Sequence, residues 1–582
     1  MAGQKKTILI LGAGVMQGPA IRCAKSMGLK TAVIDGDPNA PLANEADRFE
    51  VIDLKDIHNI EQFAKNLRAE GGLNGVMTAG TDFSASAAFV AEKLALPGIS
   101  YETALDASDK ERMRKCFKEA GLPSPAFTVF LAENANSISE YSGLPFPFPA
   151  AVKPVDNMGA RGCRRVDNTA ELKEAVEAAL KFSRSGRAIV EEYMEGPEFS
   201  IDAVIYRGKI TICGLADRHI FFPPYFIEMG HTMPADVSSK TAEAIIDVFI
   251  RGIKALKIDN GAAKGDIKLT GKGPMIGEIA ARLSGGYMSG WTYPYASGAD
   301  PARGAICTAL GQEPEGLTPV RNWTSAERAF ISIPGLIKSI DGLDKAQNIP
   351  HIKNLFLRLE EGKRISFPEN NVSKAGNVIS AAPDRQTAVK AAEEAVKAVL
   401  IRLSTPDKET DEFLAGPVSL TGQKTANRDN FPPSAYVLNP ALLEQLSHMP
   451  PGSTSPLFSH AKTQRRKGNY DICSNLGALA PWRDGLSDKF EPMELNTVSL
   501  LPFPAFMESN LADYAGRNPR ETLEAVKKLT GLELLEAKNS SQKPALGREF
   551  WRALIRGGYQ GAVYYLDRLF LEAGYDPPGR KP

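Results

Sequence analysis

The chain has 582 residues, of which 43% are hydrophobic and 24% are charged, as is typical of a globular enzyme with a buried core. Lysine plus arginine and aspartate plus glutamate both number 69, so the net charge is zero and no chain-wide field attracts nucleic acid or an anionic membrane. The length predicts several domains of roughly 100–200 residues. The six cysteines lack paired or zinc-type spacing, and no apolar run reaches the roughly 18 residues of a membrane span. We therefore expect a cytoplasmic protein with free thiols and a local recognition site.

The first residues, KTILILGAGVMQGPAIRCAKSMGLKTAVID, predict a strand, a glycine turn, a helix and a second strand. The glycines Gly12, Gly14 and Gly18 follow the spacing GxGxxxG, because Gln17 takes the place of the usual third glycine. Asp35, at the end of the second strand, could accept a ribose hydroxyl. This leaves a nicotinamide-dependent oxidoreductase open as one hypothesis.

The stretch GVMTAGTDF predicts another strand that ends in a polar turn, with Thr78, Gly80 and Asp82 at its carboxyl end. Open sheets with parallel strands bind ligands at that edge, which favours a site. A tight turn with a helix cap explains Asp82 equally well.

The stretch AVKPVDNMGARGCRRV combines a strand lysine, Lys153, with a loop that carries Gly159 and Gly162. A lysine beside a mobile glycine loop can place an ammonium on a polyphosphate while backbone amides cover it. The pattern GxxxxGK[ST] of a Walker A loop is absent. The alternative for Lys153 is an edge lysine that only snorkels to solvent.

Two carboxylates follow on a predicted hairpin, in GAAKGDIKLTGKGPMIGEIAAR. The turn TGKG would bring Asp266 and Glu278 to one face, where they could share magnesium with a substrate phosphate. Arg282, four residues later, could neutralise phosphoryl charge.

Together, Lys110, Lys153, the glycine loop, EEYMEGPE and the D…EIAAR set resemble the ATP-grasp superfamily of carboxylate–amine ligases. The resemblance covers about residues 5–405 and favours the branch of L-amino-acid ligases and carbamoyl-phosphate-synthase-like enzymes. It implies an α/β fold, with α+β grasp lobes and a C-terminal extension that ends in helices. The expected domains are a Rossmann-like pre-ATP domain (1–105), a small lobe with the glycine lid (106–188), a large lobe with the metal site (189–317), a C-terminal grasp subdomain (318–405) and the extension (406–582).

The resemblance also implies roles for individual residues. Lys153 and Arg282 would be catalytic, Arg282 facing an acyl phosphate, and Asp266 and Glu278 would bind Mg²⁺, with Mn²⁺ as an alternative. The residues expected to bind ATP are Lys110, Lys153, Gly159, Arg161, Gly162, Glu191, Glu192, Tyr193, Met194 and Glu198. Within this set, the backbone of 192–194 would hold adenine, and Glu198 the ribose.

Two positions depart from the family pattern. Members commonly have Glu where this chain has Asp266, and Asn where it has Ala280. The number of metal ions therefore stays open. Some amino-acid-ligase-like members have the E-x-A-x-R version, which favours that branch.

The segment YFIEMGHTMPADV resembles the EtGH segment that lines the amino-acid pocket of amino-acid ligases in this superfamily. Glu228 would pair with a substrate ammonium, and His231 would bond a carboxylate or the attacking amine. A structural hydrogen-bonding role is the alternative for His231. Gly285 and Trp291 are further substrate candidates, although Trp291 could equally be a core aromatic.

These features predict an ATP-dependent ligase that joins an amino acid to an amine or a second amino acid through an acyl phosphate. A bicarbonate-using carboxylase or carbamoyl-phosphate-type enzyme is disfavoured, because the sequence shows no AMKM-type biotin segment and no glutamine-hydrolysing part. A non-catalytic ATP-binding module also stays open. The expected partners are a small-molecule carboxylate and amine, without nucleic acid or membrane; a homodimer is left open.

The last third gives weaker signals. Residues 405–436 look like a polar linker, and the basic run Lys462–Gly468 looks like a solvated loop. Near the end of the chain, apolar residues recur at the spacing of a helix. The aromatic residues of this segment could form a helix–helix core or a partner surface; they are Trp551, Tyr559, Tyr564 and Tyr565. The extension could cap the active site, recognise substrate or mediate dimerisation.

Overall fold

The computed structural model describes residues 5–133, 143–415, 497–500, 513, 515–536, 546–572 and 577. The chain divides into two compact units. The first comprises Met1–Phe330, Asp344–Arg358 and Pro368–Ala398. The second comprises Ile331–Leu343, Leu359–Phe367 and Val399–Pro582. Among the described residues, no helix combines the length and the apolar character that crossing a bilayer requires.

The first unit begins with a four-stranded parallel sheet in the order β3-β2-β1-β4, flanked by helices. Its inner strand β1 is apolar from Ile8 to Leu11, and these residues are fully buried because both faces of the sheet are covered. The predicted Rossmann-like start is thus observed. The elements are β1 (Thr7–Leu11), α1 (Gly18–Ser26), β2 (Lys30–Asp35), β3 (Arg48–Val51), α2 (Ile57–Gly71), β4 (Gly75–Thr78), α3 (Ser84–Lys93) and α4 (Tyr101–Asp106).

A small antiparallel sheet follows, in the order β5-β8-β6-β7. The side chain of Asp109 caps the helix that starts at Lys110, and Asn168 caps the helix behind the sheet. The glycine loop connects β6 to β7. The elements are α5 (Lys110–Glu119), β5 (Phe127–Leu131), β6 (Ala150–Pro154), β7 (Arg164–Val166), α6 (Thr169–Phe182) and β8 (Arg187–Glu192).

An eight-stranded sheet forms the rest of the first unit, in the order β13-β12-β9-β10-β11-β14-β18-β16. Its strands are β9 (Glu198–Tyr206), β10 (Lys209–Phe221), β11 (Ile227–Met233), β12 (Gly261–Thr270), β13 (Gly273–Ala280), β14 (Thr324–Phe330), β16 (Ile352–Leu357) and β18 (Gly376–Ala382). The helices of this part of the chain are α7 (Ser239–Ala255), α8 (Tyr293–Ser297), α9 (Pro301–Ala309), α10 (Leu343–Gln347) and α11 (Arg385–Ala398). Phe249 of α7 packs under β12 and β13, so the predicted hairpin has an apolar floor.

The second unit contains a three-stranded sheet, a two-stranded parallel sheet and helices. Its elements are β15 (Gly335–Asp341), β17 (Arg364–Ile365), β19 (Leu400–Leu403), α12 (Lys408–Ala415), β20 (Thr497–Leu500), α13 (Pro519–Thr530), β21 (Glu533–Glu536) and α14 (Arg548–Glu572). Helix α14 is interrupted at Gly558, whose φ of 56° lies in the left-handed region that glycine adopts without strain.

Two predictions for the last third can be compared with this unit. Trp551 and Tyr559 lie in a buried cluster and Tyr565 packs against it, so these aromatics form a core rather than an exposed partner surface. The linker prediction is wrong at its start, because Lys408–Ala415 is a helix that buries Phe413 and Leu414. The remainder of the linker and the basic run lie outside the described residues.

Candidate active site

A cavity of about 1260 Å³ opens in the first unit. Residues from the N-terminal turns, the glycine loop, the eight-stranded sheet and the segments around 356 and 372 line it. Twelve lysines and arginines but only seven aspartates and glutamates contribute to this lining. The positive excess suits a polyanionic ligand such as a nucleotide triphosphate.

Lys153 points from β6 into the cavity and is held by Glu191 of β8, whose Oε2 lies 2.7 Å from its Nζ. On the other side, Nε of Arg114 lies 2.8 Å from Oε1 of Glu191, and the exposed fraction of both side chains is 1%. Burial opposes ionisation of Glu191, but the charges of Arg114 and Lys153 hold its pKa at about 2. Glu191 is therefore an anion that orients the Lys153 ammonium, and Arg114 was missed in the sequence.

Lys110 lies at the start of α5, where its Nζ donates to the carbonyl of Asn157 at 2.7 Å and lies 3.9 Å from Oε2 of Glu278. Burial favours the neutral amine, but Glu278 and other nearby anions raise the pKa of Lys110. A charged lysine thus links Glu278 to the beginning of the glycine loop.

The glycine loop lines the cavity with residues 157–161 and 163. Gly159 and Gly162 have φ values of +68° and +67°, and a side chain at Gly162 would collide with Phe182. The carbonyl of Gly159 accepts a hydrogen bond from the Asn371 backbone at 2.9 Å, which ties the loop to the opposite wall. Arg161 lines the cavity with this loop.

Arg164 and Arg165, on the strand after the loop, are absent from the cavity lining. Nη1 of Arg164 lies 3.3 Å from Glu174, and Nε of Arg165 donates to Asp167 at 2.9 Å. The guanidinium of Arg165 also covers the ring of Tyr193. Neither arginine is oriented toward the place expected for the phosphates.

The predicted adenine segment also borders the cavity, with Glu192, Tyr193, Met194 and Glu198 in its lining. The N–H groups of Glu192 and Tyr193 donate to the carbonyls of Ala126 and Pro149 at 2.9 and 3.3 Å. Because two of the three backbone amides in 192–194 are already bound within the fold, adenine recognition by this segment stays a prediction.

The predicted hairpin is formed by β12 and β13, and Asp266 lies directly opposite Glu278. Burial opposes the ionisation of both, but nearby cations lower the pKa of each: Arg218 and Lys264 for Asp266, Lys110 and Lys264 for Glu278. Within the described part of the chain, no group of three or more His, Cys, Asp or Glu residues is arranged to hold a metal ion. Two ionised carboxylates nevertheless fit Mg²⁺, which keeps several waters and binds substrate phosphates alongside one or two carboxylates.

Glu228 and His231 also line the cavity, and both are buried on β11. Nδ1 of His231 lies 3.1 Å from Oε2 of Glu327, and its Nε2 lies 3.7 Å from Oε2 of Glu228. Burial disfavours the Glu228 anion, but His231 and Arg218 hold its pKa well below the usual range. A side chain on Gly286, which has a φ of +61°, would collide with Glu228, so glycine is required beside this pair.

Arg218 of β10 joins three predicted sites and was missed in the sequence. It forms ion pairs with Glu198, with Glu228 at 2.9 Å and with Asp266 at 3.0 Å. The only signal was a charged group in the strand-like run ITICGLADRHIF. Three carboxylates predicted to bind ribose, substrate and metal are thus held around one guanidinium.

Residues near 356 and 372 complete the wall of the cavity. No pattern in the sequence predicted that they line it. Oδ1 of Asn371 accepts the Glu228 backbone N–H at 2.7 Å, and Nζ of Lys374 donates to the Glu228 carbonyl at 2.6 Å. Tyr287 and Phe356 stack at 4.4 Å between ring centroids and line the same cavity.

Of the other predicted residues, Arg282 and Gly285 line the cavity. Trp291 does not; it packs behind Tyr287 and Phe356 in a buried cluster, so the core-aromatic alternative is the one observed.

Backbone N–H groups of the N-terminal glycine turn are already hydrogen-bonded within the protein. Oε1 of Gln17 accepts the Gly14 N–H at 2.9 Å, and Oδ2 of Asp35 accepts the Ala13 N–H at 2.8 Å. The side chain of Gln17 also fills the space beside Gly12. The groups expected to bind a dinucleotide are therefore engaged within the protein, which disfavours the oxidoreductase hypothesis.

Comparison with known protein families identifies two regions of the chain. Residues 146–290 match the ATP-grasp domain, and residues 329–404 match the L-amino acid ligase C-terminal domain 2. The chain thus contains an ATP-grasp domain followed by an L-amino acid ligase C-terminal domain 2. The family prediction is therefore confirmed, as is the mixed α/β fold.

Individual relatives of this chain are distant. The protein y4rH of Sinorhizobium fredii is 24% identical over 404 residues, which cover 68% of this chain and 82% of that protein. Carnosine synthase 1 of Gallus gallus is 25% identical over 331 residues, covering 53% of this chain and 36% of the synthase. This chain thus spans about a third of that synthase.

The crystal structure of L-amino acid ligase from Bacillus licheniformis superposes with a TM-score of 0.60 at 23% identity. The alignment covers 69% of this chain and all of that structure. At this identity the likeness establishes the fold.

Proposed function

We propose that this protein activates a carboxylate with ATP and joins the resulting acyl phosphate to an amine, releasing ADP and phosphate. At least one of the two substrates would be an amino acid. The observation that carries the proposal is a single cavity that combines a cationic end, with Lys110, Lys153 and Arg282, and a buried Glu228–His231 pair.

Transfer of the γ-phosphoryl group to a carboxylate brings two anions together. Lys153, fixed by Glu191, and Lys110 would offset the phosphate charge, and Arg282 would stabilise charge on the acyl phosphate. Asp266 and Glu278 would hold Mg²⁺, or Mn²⁺ as an alternative, which supplies charge neutralisation when bound. This chain's part is positioning, which lowers the entropic cost of bringing the reactants together.

The acyl phosphate must also be kept from water. The loop 157–163 lies against Asn371, and its closure would cover the phosphates while the amine attacks. In the same cavity, the ionised Glu228 would pair with a substrate ammonium and His231 would contact the carboxylate or amine. The cytoplasmic location and the homodimer stay predictions.

The test is incubation of the full chain with ATP, Mg²⁺ and pooled amino acids, followed by measurement of ADP, phosphate and new condensation products by mass spectrometry. Amino-acid-dependent ADP release with a product one water lighter than its two components is expected. ADP release that does not depend on any amine would contradict the proposal. The Glu278→Gln variant should lose turnover, whereas Lys254→Ala, an exposed change on α7, should keep it.

A further inference from the structure

Residues 284–289, which we call the wall loop, contribute Gly286 and Tyr287 to the lining of the cavity. A β-carbon placed on Gly286 would lie 2.7 Å from Oε1 of Glu228 and 3.3 Å from Cε1 of His231. The backbone of the wall loop is therefore in close contact with the pair proposed to bind an amino acid. A small displacement of this backbone would change the space beside that pair.

The wall loop has a left-handed backbone conformation at two successive residues. Gly286 has a φ of +61° and Tyr287 has a φ of +64°. Glycine adopts this region without strain, but the Cβ of a tyrosine crowds its own backbone there, which costs conformational energy. Such a conformation persists only where the surrounding structure holds it. The contacts that fasten the wall loop thus decide whether Tyr287 keeps its place beside the cavity.

One buried carboxylate, Asp202 of β9, fastens the wall loop. Its Oδ2 accepts hydrogen bonds from Oγ of Ser284 at 2.6 Å and from the Ser284 backbone N–H at 3.2 Å. The N–H of Ser289 donates to Oγ of Ser284 at 3.1 Å, and Oγ of Ser289 donates to the Ser284 carbonyl at 2.7 Å. All three side chains are buried. Both ends of the wall loop are therefore tied to one carboxylate.

Asp202 lies inside the eight-stranded sheet, directly opposite Gly214 on β10 and Lys264 on β12. Burial raises the pKa of Asp202 to about 6, although the Ser284 hydrogen bonds and the charge of Lys264 favour the anion. Within the described part of the chain, its Oδ1 has no hydrogen-bond partner. An apolar residue would fill this position at lower cost if packing were its whole purpose. What the carboxylate adds is the pair of contacts that Oδ2 makes with Ser284.

We propose that Asp202 is a positioning residue, which holds the wall loop beside Glu228 and His231 and thereby sets the affinity for the amino-acid substrate. The inference rests on the proposed function, in which Glu228 and His231 contact that substrate. Asp202 is absent from the cavity lining, so it acts through Ser284 and the loop and does not touch the substrate. Because β9 is an inner strand of the sheet, it gives the loop a rigid support.

The test compares variants of the full chain by hydrogen exchange with mass spectrometry and by initial-rate kinetics. Asp202→Ala removes the acceptor of the Ser284 N–H, so amide exchange in residues 284–289 should become about 10-fold faster or more. KM for an equimolar pool of the standard amino acids should rise roughly 10-fold, while KM for ATP should change by less than about 3-fold. Asp202→Asn keeps an acceptor oxygen and should bring both measurements to within about 3-fold of the wild type.

Two serine variants complete the design. Ser289→Ala removes the bond to the Ser284 carbonyl without changing Asp202, and it should alter exchange and the amino-acid KM in the same direction. This variant carries the test if Asp202→Ala does not fold. The matched control is Ser380→Ala, which removes a buried hydrogen bond to the Ala388 carbonyl outside the cavity lining. It should leave both KM values unchanged.

Unchanged exchange in the wall loop of the Asp202 and Ser289 variants would overturn the proposal. Faster exchange without a higher amino-acid KM would overturn it as well, and so would an equal rise in KM for ATP, which a merely structural role predicts. A wild type that releases no ADP with any amino acid would contradict the proposed function instead. Hydrogen exchange would then still decide whether Asp202 holds the wall loop, because that readout needs no turnover.

Discussion

The cavity wall around Lys153 and the helical cluster of the second unit bury their side chains for different reasons. In the first, Arg114, Lys153 and Glu191 form ion pairs of 2.7–2.8 Å beneath the cavity. In the second, Phe550 and Trp551 are fully buried in an apolar cluster. Burial of charge is costly unless the charges are paired, whereas apolar burial is favourable by itself. We infer that the first arrangement serves ligand binding and the second serves stability.

Replacing Lys153 with Met should have the largest effect, and it should act on activity and not on stability. The change removes the ammonium that Glu191 holds at the cavity, and amino-acid-dependent ADP release should fall by roughly 1000-fold, the upper range for loss of one charge-stabilising donor. Steady-state ADP release measures this. Turnover within a factor of a few of the wild type would refute the assignment of Lys153, and Lys254→Ala serves as the neutral control.

The reciprocal change is Trp551→Ala in the helical cluster. Truncation of a fully buried tryptophan should reduce the free energy of unfolding of the second unit by about 3 kcal/mol, because a large cavity remains. Urea unfolding followed by circular dichroism reports the loss. An unchanged unfolding curve would show that this cluster contributes no stability.

Glu228→Gln tests the substrate end of the cavity. Loss of one charge-assisted contact corresponds to about 1.5–3 kcal/mol, so KM for the amino acid should rise roughly 10- to 100-fold. The KM for ATP should change less, since Glu228 pairs with Arg218 and His231, whereas Lys153 is held by Glu191. Initial-rate kinetics with each substrate varied separately measures the two constants; equal increases in both would contradict a substrate-specific role.

The last expected effect is a pH dependence of stability carried by Glu191. Its pKa is about 2 in the folded chain against an ordinary value of 4.5, so the folded state binds fewer protons than the unfolded state within this window. Its contribution to stability is present above pH 4.5 and is lost as the pH falls toward 2. Urea unfolding at several pH values should show that the free energy of unfolding of the wild type rises with pH more steeply than that of Glu191→Gln, by at most about 1.4 kcal/mol per pH unit, the slope for one proton. Parallel curves would contradict the ion pairing.

Local patterns allowed much of this site to be predicted. The hairpin follows from the turn TGKG, and the glycine loop follows from two glycines between two strands. A regular register from that turn would pair Asp266 with Gly277, so the bulge between Asp266 and Ile267, which sets Glu278 opposite Asp266, was not specified by the turn. Trp291 was ambiguous because an aromatic on an irregular turn has the same sequence signal whether it faces a cavity or the core. The start of the predicted linker was wrong, since a short polar helix with few apolar positions resembles a loop.

The sequence by itself determined the elements and the chemical types at the cavity, because strand alternation, glycine turns and helix caps depend on neighbouring residues. Only the tertiary structure decided which charges meet. Arg114 and Glu191 are 77 residues apart, and Asn371 and Glu228 are 143 residues apart. Such pairs are fixed by the packing of whole sheets and helices, which no local period in the chain specifies. The same packing brings Arg218 to three carboxylates from different strands, and so joins the predicted nucleotide, metal and substrate sites into one cavity.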